Sequence, residues 1–540
     1  MISRDATKLK KMFEDMVSDR HNWDDHWNDV LNYVAPQKNR VYIHNSTTQP
    51  QGDQRNQRLY DSSAQHFNEL LASALHSMLT NPTVNWFGLS SGDQEIDRKS
   101  NVRKFFQKFT QTIHDILSNS NFQTEIHELY MDLGSLGTGI MFIDEDDEDE
   151  IRFFSYPVFQ LYLRESSKGM VDTVARKFLM TGRKALQEYG DDPKVWGQKV
   201  LSEINQDLNK EIELVHITMP RIDRDKSKKN PQNKKYASVH LYLKEPTIIK
   251  ESGYDNFPWV APRWTKLSNE VYGRSPAMKT LPDIRMVNAM MKTVIRGAQK
   301  AVDPPWLIAH DSVLGRLNLK PGGTSAVRQG MTGQESIRPL VSGARTDLGL
   351  DMIQRVRESI KQGFFIDQLQ LGGSDRMTQL EVNIRNDENL RLLSPILGRL
   401  HSELLQPLIS RIITIMSKRG LIPEVPEELA GVNPQVFYRS QIAKAQKAGE
   451  GRVVSNYMAE LLQTSQIKPD VLDLVDFDKM AKYKAQVDGV PELIFNNDEE
   501  VEELRNQRAE QQAAAQELEE QQVGAEMIQK AGPTIQNLEG

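Results

Sequence analysis

A long helical pattern, a compact insert and a second helical pattern follow one another in the middle of the chain. Apolar residues recur every three or four positions from Pro276 until Asp303-Pro304-Pro305 interrupts the period, which predicts an amphipathic helix roughly 35 Å long at ~1.5 Å per residue. A second apolar stripe covers 348–365, and the segment between the two, 305–345, is rich in glycine, proline and strand-forming residues. The pattern therefore predicts a helical hairpin that carries a small β module at its tip.

The face of the first helix that lies opposite its apolar stripe is basic. Four cations share this face: Arg285, Lys292, Arg296 and Lys300. A basic helix face is in most proteins simply solvated, and in a channel it can guide phosphates without reading base sequence. Both interpretations stay open from the residues alone.

A short glycine loop separates this hairpin from a third helical pattern. Its sequence is Leu371-Gly372-Gly373-Ser374, and a helical pattern follows from Thr378, with an apolar stripe from Leu390 to Ile415. Glycine lowers the backbone cost of changing φ and ψ, which suits a loop that must shift, although a plain surface loop has the same composition. Pro395 and Pro407 are expected to kink or interrupt the third helix.

Together these features resemble the head-to-tail connector, or portal, proteins of short-tailed bacteriophages. The resemblance extends from about Trp23 to about Lys447 and also rests on the segments 58–64 and 272–276. Where that family usually has a Thr-Ala-Thr-Glu-Val type of sequence, this chain has Thr378-Gln379-Leu380-Glu381-Val382 and departs at two positions. The resemblance implies an α+β, mainly helical portal fold, assembled as a cyclic ring of twelve subunits at one capsid vertex.

The family's arrangement also implies a region for each part of the chain. These regions are an N-terminal wing (1–270), a stem helix (271–303), a clip (304–345), a second stem helix (346–366), a tunnel loop (367–377), a wing helix (378–432), a crown (433–490) and a helical barrel or disordered tail (491–540).

The resemblance assigns roles to individual residues. In the tunnel loop, the residues that it implies lie against DNA are Gln370, Leu371, Gly372, Gly373, Ser374, Asp375 and Arg376. In the stem, the resemblance implies that the four cations of the basic face lie against DNA. In the clip it assigns docking of the packaging motor and tail adaptor to Trp306, Asp311, Arg316, Lys320 and Arg328.

The partners that the resemblance implies are further copies of the chain, double-stranded viral DNA, the terminase large subunit during packaging and the tail adaptor afterwards. Contacts with the major capsid protein, the scaffolding protein and internal core proteins are implied as well. We therefore expect a virion component assembled in the host cytoplasm, with no cofactor, no metal and no membrane contact.

Outside the hairpin, the sequence predicts an α+β body. One or two amphipathic helices are expected before Pro36, and apolar stripes predict further helices over 64–79 and 102–117. From 140 to 250 short alternating segments predict strands, the first two of which, 140–143 and 151–154, flank a run of acidic residues. The crown helices are expected from 442 to about 483.

Charge and composition exclude several classes of protein. The chain has 67 basic and 74 acidic residues, a net charge of −7, which counts against a domain that grips nucleic acid through clustered cations. A channel must let DNA slide, and an acidic balance is compatible with that. The absence of cysteine excludes disulfides and thiolate metal sites and fits a reducing compartment. Apolar runs are far shorter than the ~20 residues that span a bilayer.

Two other functional classes compete with the portal interpretation. Another virion component, such as a tail adaptor or internal core protein, would share the composition but should lack the tunnel loop and stem pair. An enzyme of nucleic-acid metabolism should show a phosphate loop or a metal-carboxylate cluster. The glycines of 134–139 lack the Lys-Ser/Thr ending of a phosphate loop, and no histidine lies in an HExxH motif. We therefore expect a non-enzymatic portal subunit whose packaging motor is a different chain.

Overall fold

The computed structural model describes most of the chain. The described residues are 5–38, 56–57, 59–97, 99–148, 150–222, 224–225, 227–228, 230–308, 337–339, 346–369, 393–429, 431–432, 434–438, 441–466, 468–488 and 501–514. They belong to two compact units. The first comprises Met1–Trp86 and Ile113–Ile422, and the second comprises Phe87–Thr112 and Pro423–Gly540.

Helices predominate in the described residues, and the strands are mostly short. The helices are α1 (Ala6–Val34), α2 (Ser63–Leu79), α3 (Gln94–Asp97), α4 (Ser100–Asn119), α5 (Phe122–Leu136), α6 (Gly182–Tyr189), α7 (Pro193–Trp196), α8 (Gln198–Gln206), α9 (Pro276–Val302), α10 (Thr346–Gly363), α11 (Ile366–Leu369), α12 (393–400), α13 (Gln406–Arg419), α14 (Gln441–Ser465), α15 (Phe477–Asp488) and α16 (501–514). The strands are β1 (Phe87–Ser90), β2 (Met141–Glu145), β3 (Ile151–Ser155), β4 (Leu161–Glu165), β5 (Val171–Thr181), β6 (Glu211–Pro220), β7 (Tyr236–Tyr242), β8 (Thr247–Tyr254), β9 (Trp259–Val260), β10 (Trp306–Ile308), β11 (Ile337–Pro339) and β12 (Gln435–Tyr438).

A five-stranded antiparallel sheet in the first unit follows chain order from β4 to β8. Successive side chains of β6 alternate between two apolar cores, because side chains along a strand point to opposite faces. Val215 and Ile217 pack with Leu9 and Phe13 of α1. Leu214 lies on the other face, in the cluster that includes Trp196 of α7. The α+β composition predicted for this part of the chain is confirmed.

The strands β2 and β3 form the predicted antiparallel hairpin, with Met141 opposite Ser155 and Glu145 opposite Ile151. The other long edge of β2 pairs with β9. Two of the acidic side chains have cationic partners on α13: Lys418 is 2.5 Å from Glu145, and Arg419 is 3.7 Å from Asp147. Part of the acidic run is therefore held against this helix within the same unit.

The third helical pattern is interrupted where its second proline predicts. Residues 401–405 form a π-helical segment between α12 and α13. Pro407 lies in the first turn of α13 and has no N–H to donate to a carbonyl of the preceding turn. The segment turns Glu403 inward, where its carboxylate accepts hydrogen bonds from the backbone N and Nε of Arg263, both at 3.0 Å, and from Nη2 at 2.7 Å. Arg263 is 1% exposed and also bonds Glu165.

The helices predicted on either side of the insert are both observed, as α9 and α10. The two short strands β10 and β11 pair antiparallel at the ends of the insert, whereas 309–336 and 340–345 lie outside the described residues. In the described parts of the chain, no helix combines the length and apolarity that crossing a membrane requires.

The second unit contains an antiparallel pair and a group of helices. Strand β1 pairs with β12, with Phe87 opposite Tyr438. Helices α14 and α15 pack on each other, and Arg505 of α16 forms an ion pair of 2.8 Å with Asp478 of α15. These helices agree with those expected from 442 to about 483. Of the region predicted as a barrel or tail, 501–514 form α16, whereas 491–500 and 515–540 lie outside the described residues.

The glycine stretch at 134–139 has a structural role. Gly137 ends α5 in the left-handed conformation, with φ of +78°. A Cβ on Gly137 would lie 2.5 Å from the carbonyl oxygen of Gly273, and a Cβ on Gly273 would lie 2.2 Å from the carbonyl oxygen of Gly137. The two backbones therefore pass each other at a distance that no side chain allows, immediately before α9 begins.

A matched pair of substitutions separates this close approach from the conformational preference alone. Gly420 ends α13 with φ of +71°, and nothing lies within 4 Å of its Cβ position. We expect Gly420→Ala to cost about 1 kcal/mol from its positive φ, and Gly137→Ala about 3 kcal/mol or more because crowding adds to that cost. Chemical denaturation of the full-length variants measures both, and equal losses would contradict the close approach.

Candidate functional site

The hairpin of α9 and α10 is fixed at its base by a helix cap. Ser275 accepts a hydrogen bond from the N–H of Met278 at 2.9 Å and donates one to the carbonyl of Ser135 at 2.8 Å. Pro276 occupies the first turn of α9, where its missing N–H costs nothing. The start of the helix is thus joined to the end of α5, in the segment 272–276 on which the family resemblance partly rested.

Two glycines on α10 bring the two helices close together. A Cβ on Gly363 would lie 2.1 Å from Cγ2 of Thr280, and a Cβ on Gly349 would lie 2.8 Å from Cγ2 of Val294. Ser359 on the same side of α10 donates to Asp283 at 3.2 Å. These contacts run almost the full length of α10, so the hairpin is a continuous two-helix unit.

Residues 59–62, which we call the clasp segment, connect both helices of this hairpin to α2. On the α9 side, Asn288 Oδ1 accepts from the backbone N–H of Tyr60 at 2.7 Å and from that of Asp61 at 3.3 Å. On the α10 side, Arg357 donates through Nε and Nη2 to Asp61 Oδ2, at 3.0 and 2.5 Å. The other oxygen of Asp61 accepts from the N–H of Ser63 at 2.9 Å.

The Asp61 carboxylate is consequently a buried junction between three helices. Its side chain is 5% exposed, whereas that of Arg357 is 32% exposed. A buried carboxylate is costly unless it is paired and hydrogen-bonded, and here both of its oxygens have donors. The junction fixes where the hairpin leaves the body of the first unit.

The structure gives the four predicted stem cations two different environments. Arg285 forms an ion pair of 2.7 Å with Asp29 of α1. The Lys292 ammonium lies 5.3 Å from the centre of the Tyr60 ring in the clasp segment, within the range of a cation–π contact. Arg296 and Lys300 are exposed. At about 100° per residue all four lie within about 80° of the helix circumference, but two of them already contact their own subunit.

The other predicted site residues are only partly described. Trp306 lies in β10, opposite Pro339 of β11, and the clip residues Asp311, Arg316, Lys320 and Arg328 lie outside the described residues. So do the tunnel-loop residues 370–376. Helix α11 occupies 366–369, so that the first part of the region predicted as the tunnel loop is one helical turn.

Two histidines of the five-stranded sheet form a neutral stacked pair. The rings of His216 and His240 are 4.3 Å apart and 2° from parallel, on the neighbouring strands β6 and β7. Burial lowers the pKa of His240 to about 3 and holds the pKa of His216 well below its usual value. His216 Nε2 is 2.8 Å from the hydroxyl of Ser238. In the described residues, no group of three or more acidic or histidine side chains is arranged to hold a metal ion.

Sequence reasoning missed the roles of Asp61, Asn288 and Arg357. The segment 58–64 contributed to the family resemblance, which was the only signal pointing to it. Its partners lie more than 200 residues away along the chain, and periodicity within a segment does not indicate which distant segment it contacts.

Comparisons with known proteins agree on one family. A family model described as "Bacteriophage head to tail connecting protein" matches residues 6–495. The portal protein of Salmonella phage epsilon15 is 30% identical over 524 residues, 96% of this chain and 93% of that protein. A probable portal protein of Bordetella phage BPP-1 is 29% identical over 529 residues, 95% of this chain and 93% of that protein.

One solved structure, described as "Neck of empty GTA particle computed with C6 symmetry", matches 73% of this chain and 86% of its own. It is 10% identical, with a TM-score of 0.38. A score at this level supports no argument about function.

Two arginines on α10 provide a test of the clasp segment. We expect Arg357→Met to lower the free energy of unfolding by about 2 kcal/mol or more, because it leaves the buried Asp61 carboxylate without its cation. Arg355 forms an exposed ion pair with Asp351, with side chains 79% and 58% exposed, so Arg355→Met should change stability by less than about 0.5 kcal/mol. Hydrogen–deuterium exchange should then accelerate in α9 and α10 of the first variant only. Equal exchange in both variants would show that the clasp segment does not hold the hairpin.

Proposed function

This chain belongs to the bacteriophage head to tail connecting proteins, and on that premise we propose that it is a portal subunit. In this proposal, copies of the chain form a closed ring at one vertex of the capsid, through which double-stranded DNA is packaged and later ejected. The observation that carries the proposal is the similarity to the epsilon15 portal protein over 96% of this chain. A virion component that shared only one module with portals would not match over this length.

We assign the hairpin of α9 and α10 to the stem of the ring. A hairpin joined to the body at its base and carrying an insert at its far end suits a part that projects from a ring. The regions at 304–345, 367–377 and 433–490 are, in the same proposal, the clip, the tunnel loop and the crown, and 1–270 and 378–432 form the wing. The dodecameric count of the family is part of the proposal.

The proposed DNA path is lined by the tunnel loop. Gly372 and Gly373 give that loop a low cost of changing conformation, and Arg376 adds one cation per subunit. A weak contact repeated around a ring guides phosphates without reading sequence, whereas strong binding would stop translocation. A net charge of −7 is consistent with a channel that holds DNA loosely.

The clip is proposed as the docking surface for the other parts of the phage. We assign to Trp306, Asp311, Arg316, Lys320 and Arg328 contacts with the terminase large subunit during packaging and with the tail adaptor afterwards. Because these two partners dock at different stages, one surface can serve both. The wing is the proposed contact for the major capsid, scaffolding and internal core proteins.

The mass of the purified protein tests the ring directly. We expect one closed oligomer whose mass is a whole-number multiple of 61.7 kDa, because a cyclic interface buries every complementary surface only when the ring closes. Analytical ultracentrifugation at micromolar concentration measures this mass. A single species of 61.7 kDa would contradict the proposal.

Removal of the clip tests its docking role. We expect a short Gly-Ser linker in place of 305–345 to preserve rings but abolish attachment of the packaging motor and tail adaptor, because a tip module does not hold the bodies together. A matched linker in place of 146–149, at the tip of the β2–β3 hairpin, should leave docking intact. Packaging and tail attachment are scored in infected cells complemented with each variant, and normal packaging without 305–345 would remove the clip assignment.

A further inference from the structure

The contacts between α9 and α10 fix which residues lie at the same height in the hairpin. Thr280 faces Gly363, and Val294 faces Gly349. The two contacts are 14 residues apart on both helices. Because the helices are antiparallel, moving one residue forward along α9 keeps level with moving one residue backward along α10. Two residues before Val294 is Lys292, which is therefore level with Asp351. Two residues after Val294 is Arg296, which is level with Asp347.

These level pairs lie on opposite edges of the hairpin. At about 100° per residue, Lys292 and Arg296 lie about 140–180° around α9 from the side that contacts α10, and Asp347 and Asp351 lie about 160° around α10 from the side that contacts α9. Both helices stand between the two sets, with axes about 8–10 Å apart. We call Lys292 and Arg296 the basic edge, and Asp347 and Asp351 the acidic edge.

Both edges carry exposed side chains in a single subunit. Arg296, Asp347 and Asp351 are exposed, and Arg296 forms no ion pair with any residue that the structure describes. Leu348 and Leu350 of α10 flank the acidic edge on its two sides and are 55% and 51% exposed. An apolar side chain is therefore available on each side of the acidic edge for contact with another chain.

We propose that the basic edge of one stem packs against the acidic edge of the next copy of this chain. The inference rests on the proposed ring and names the contact that closes it. A head-to-tail ring requires two different, complementary surfaces on each subunit, and the two edges meet that requirement. Neighbouring copies in a ring are related by a rotation without translation, so residues at the same height in the hairpin stay at the same height in the next copy. When the hairpin is aligned along the ring axis, Lys292 of one copy therefore meets Asp351 of the next, and Arg296 meets Asp347.

Competing contacts exist within the subunit. Lys292 lies against the ring of Tyr60, and Asp347 has an interaction of its own. Asp351 pairs with Arg355 one turn along α10, at 2.9 Å. An exposed pair of this kind contributes little, so Asp351 can exchange it for a contact with the neighbouring copy. Each contact between edges is also weak on its own. The contact is repeated at every interface of the ring, and like edges repel each other. Every subunit therefore faces the same way around the ring.

Two charge-reversed variants test the contact between copies. Variant A is Lys292→Glu with Arg296→Glu, and variant B is Asp347→Lys with Asp351→Lys. Alone, each variant brings two like-charged edges together, and we expect the concentration for half-maximal ring formation to rise by at least about tenfold. Mixed, A and B alternate, so that every interface again joins opposite charges. The mixture should assemble within about twofold of the unaltered chain.

Controls for the charge reversal come from positions off the edges. Lys11 and Lys279 are exposed, and Lys11→Glu with Lys279→Glu changes the net charge as much as variant A does. This control should assemble normally. Circular dichroism establishes that A and B are folded, and native mass spectrometry of the mixture should show rings with equal numbers of the two chains.

The outcomes separate this inference from the proposed function. The contact between edges would be overturned if A and B alone form normal rings, or if folded A and B fail to assemble when mixed. In either case the portal proposal still stands when the unaltered chain forms rings. Rings of A that form normally but retain less DNA in filled heads would show that Lys292 and Arg296 face DNA, again overturning the inference. Failure of the unaltered chain to form rings would instead remove the proposed function.

Discussion

The buried carboxylate of Asp61 determines how the long helical hairpin is attached to the rest of the first unit. It receives Arg357 from α10, while Asn288 of α9 holds the backbone beside it. A charge that is 5% exposed tolerates very few arrangements, because any loss of a donor leaves the full cost of burial. The contact therefore specifies one position of the hairpin, on which the proposed stem and both of its charged edges depend.

Much of the secondary structure could be predicted from the sequence, because apolar periodicity reports directly on helices and strands. The patterns around α9, α10 and the β2–β3 hairpin each come from local spacing, and the interruption before α13 follows from Pro407. The contact of Arg263 with Glu403 could not be predicted in this way. It depends on the inward turn of a π-helical segment 140 residues away, which no local pattern encodes.

The candidate site was predicted less completely than the fold. The basic face of α9 was visible from spacing, but the division of its cations was not, because Asp29 and Tyr60 reach Arg285 and Lys292 from distant parts of the chain. The matching acidic edge of α10 becomes meaningful only when the register of the two helices is known. Glycine contacts set that register, and sequence alone does not pair Val294 with Gly349.

The central claim is that the α9–α10 hairpins of all subunits together surround a channel. A cryo-electron microscopy map of the purified ring tests this claim most directly. The account predicts a central hole encircled by one α9–α10 hairpin from each subunit, with the basic edge of each hairpin against the acidic edge of the next. The residues 370–376 should approach the axis. A ring whose hairpins point outward, or a map without a central hole, would contradict the account.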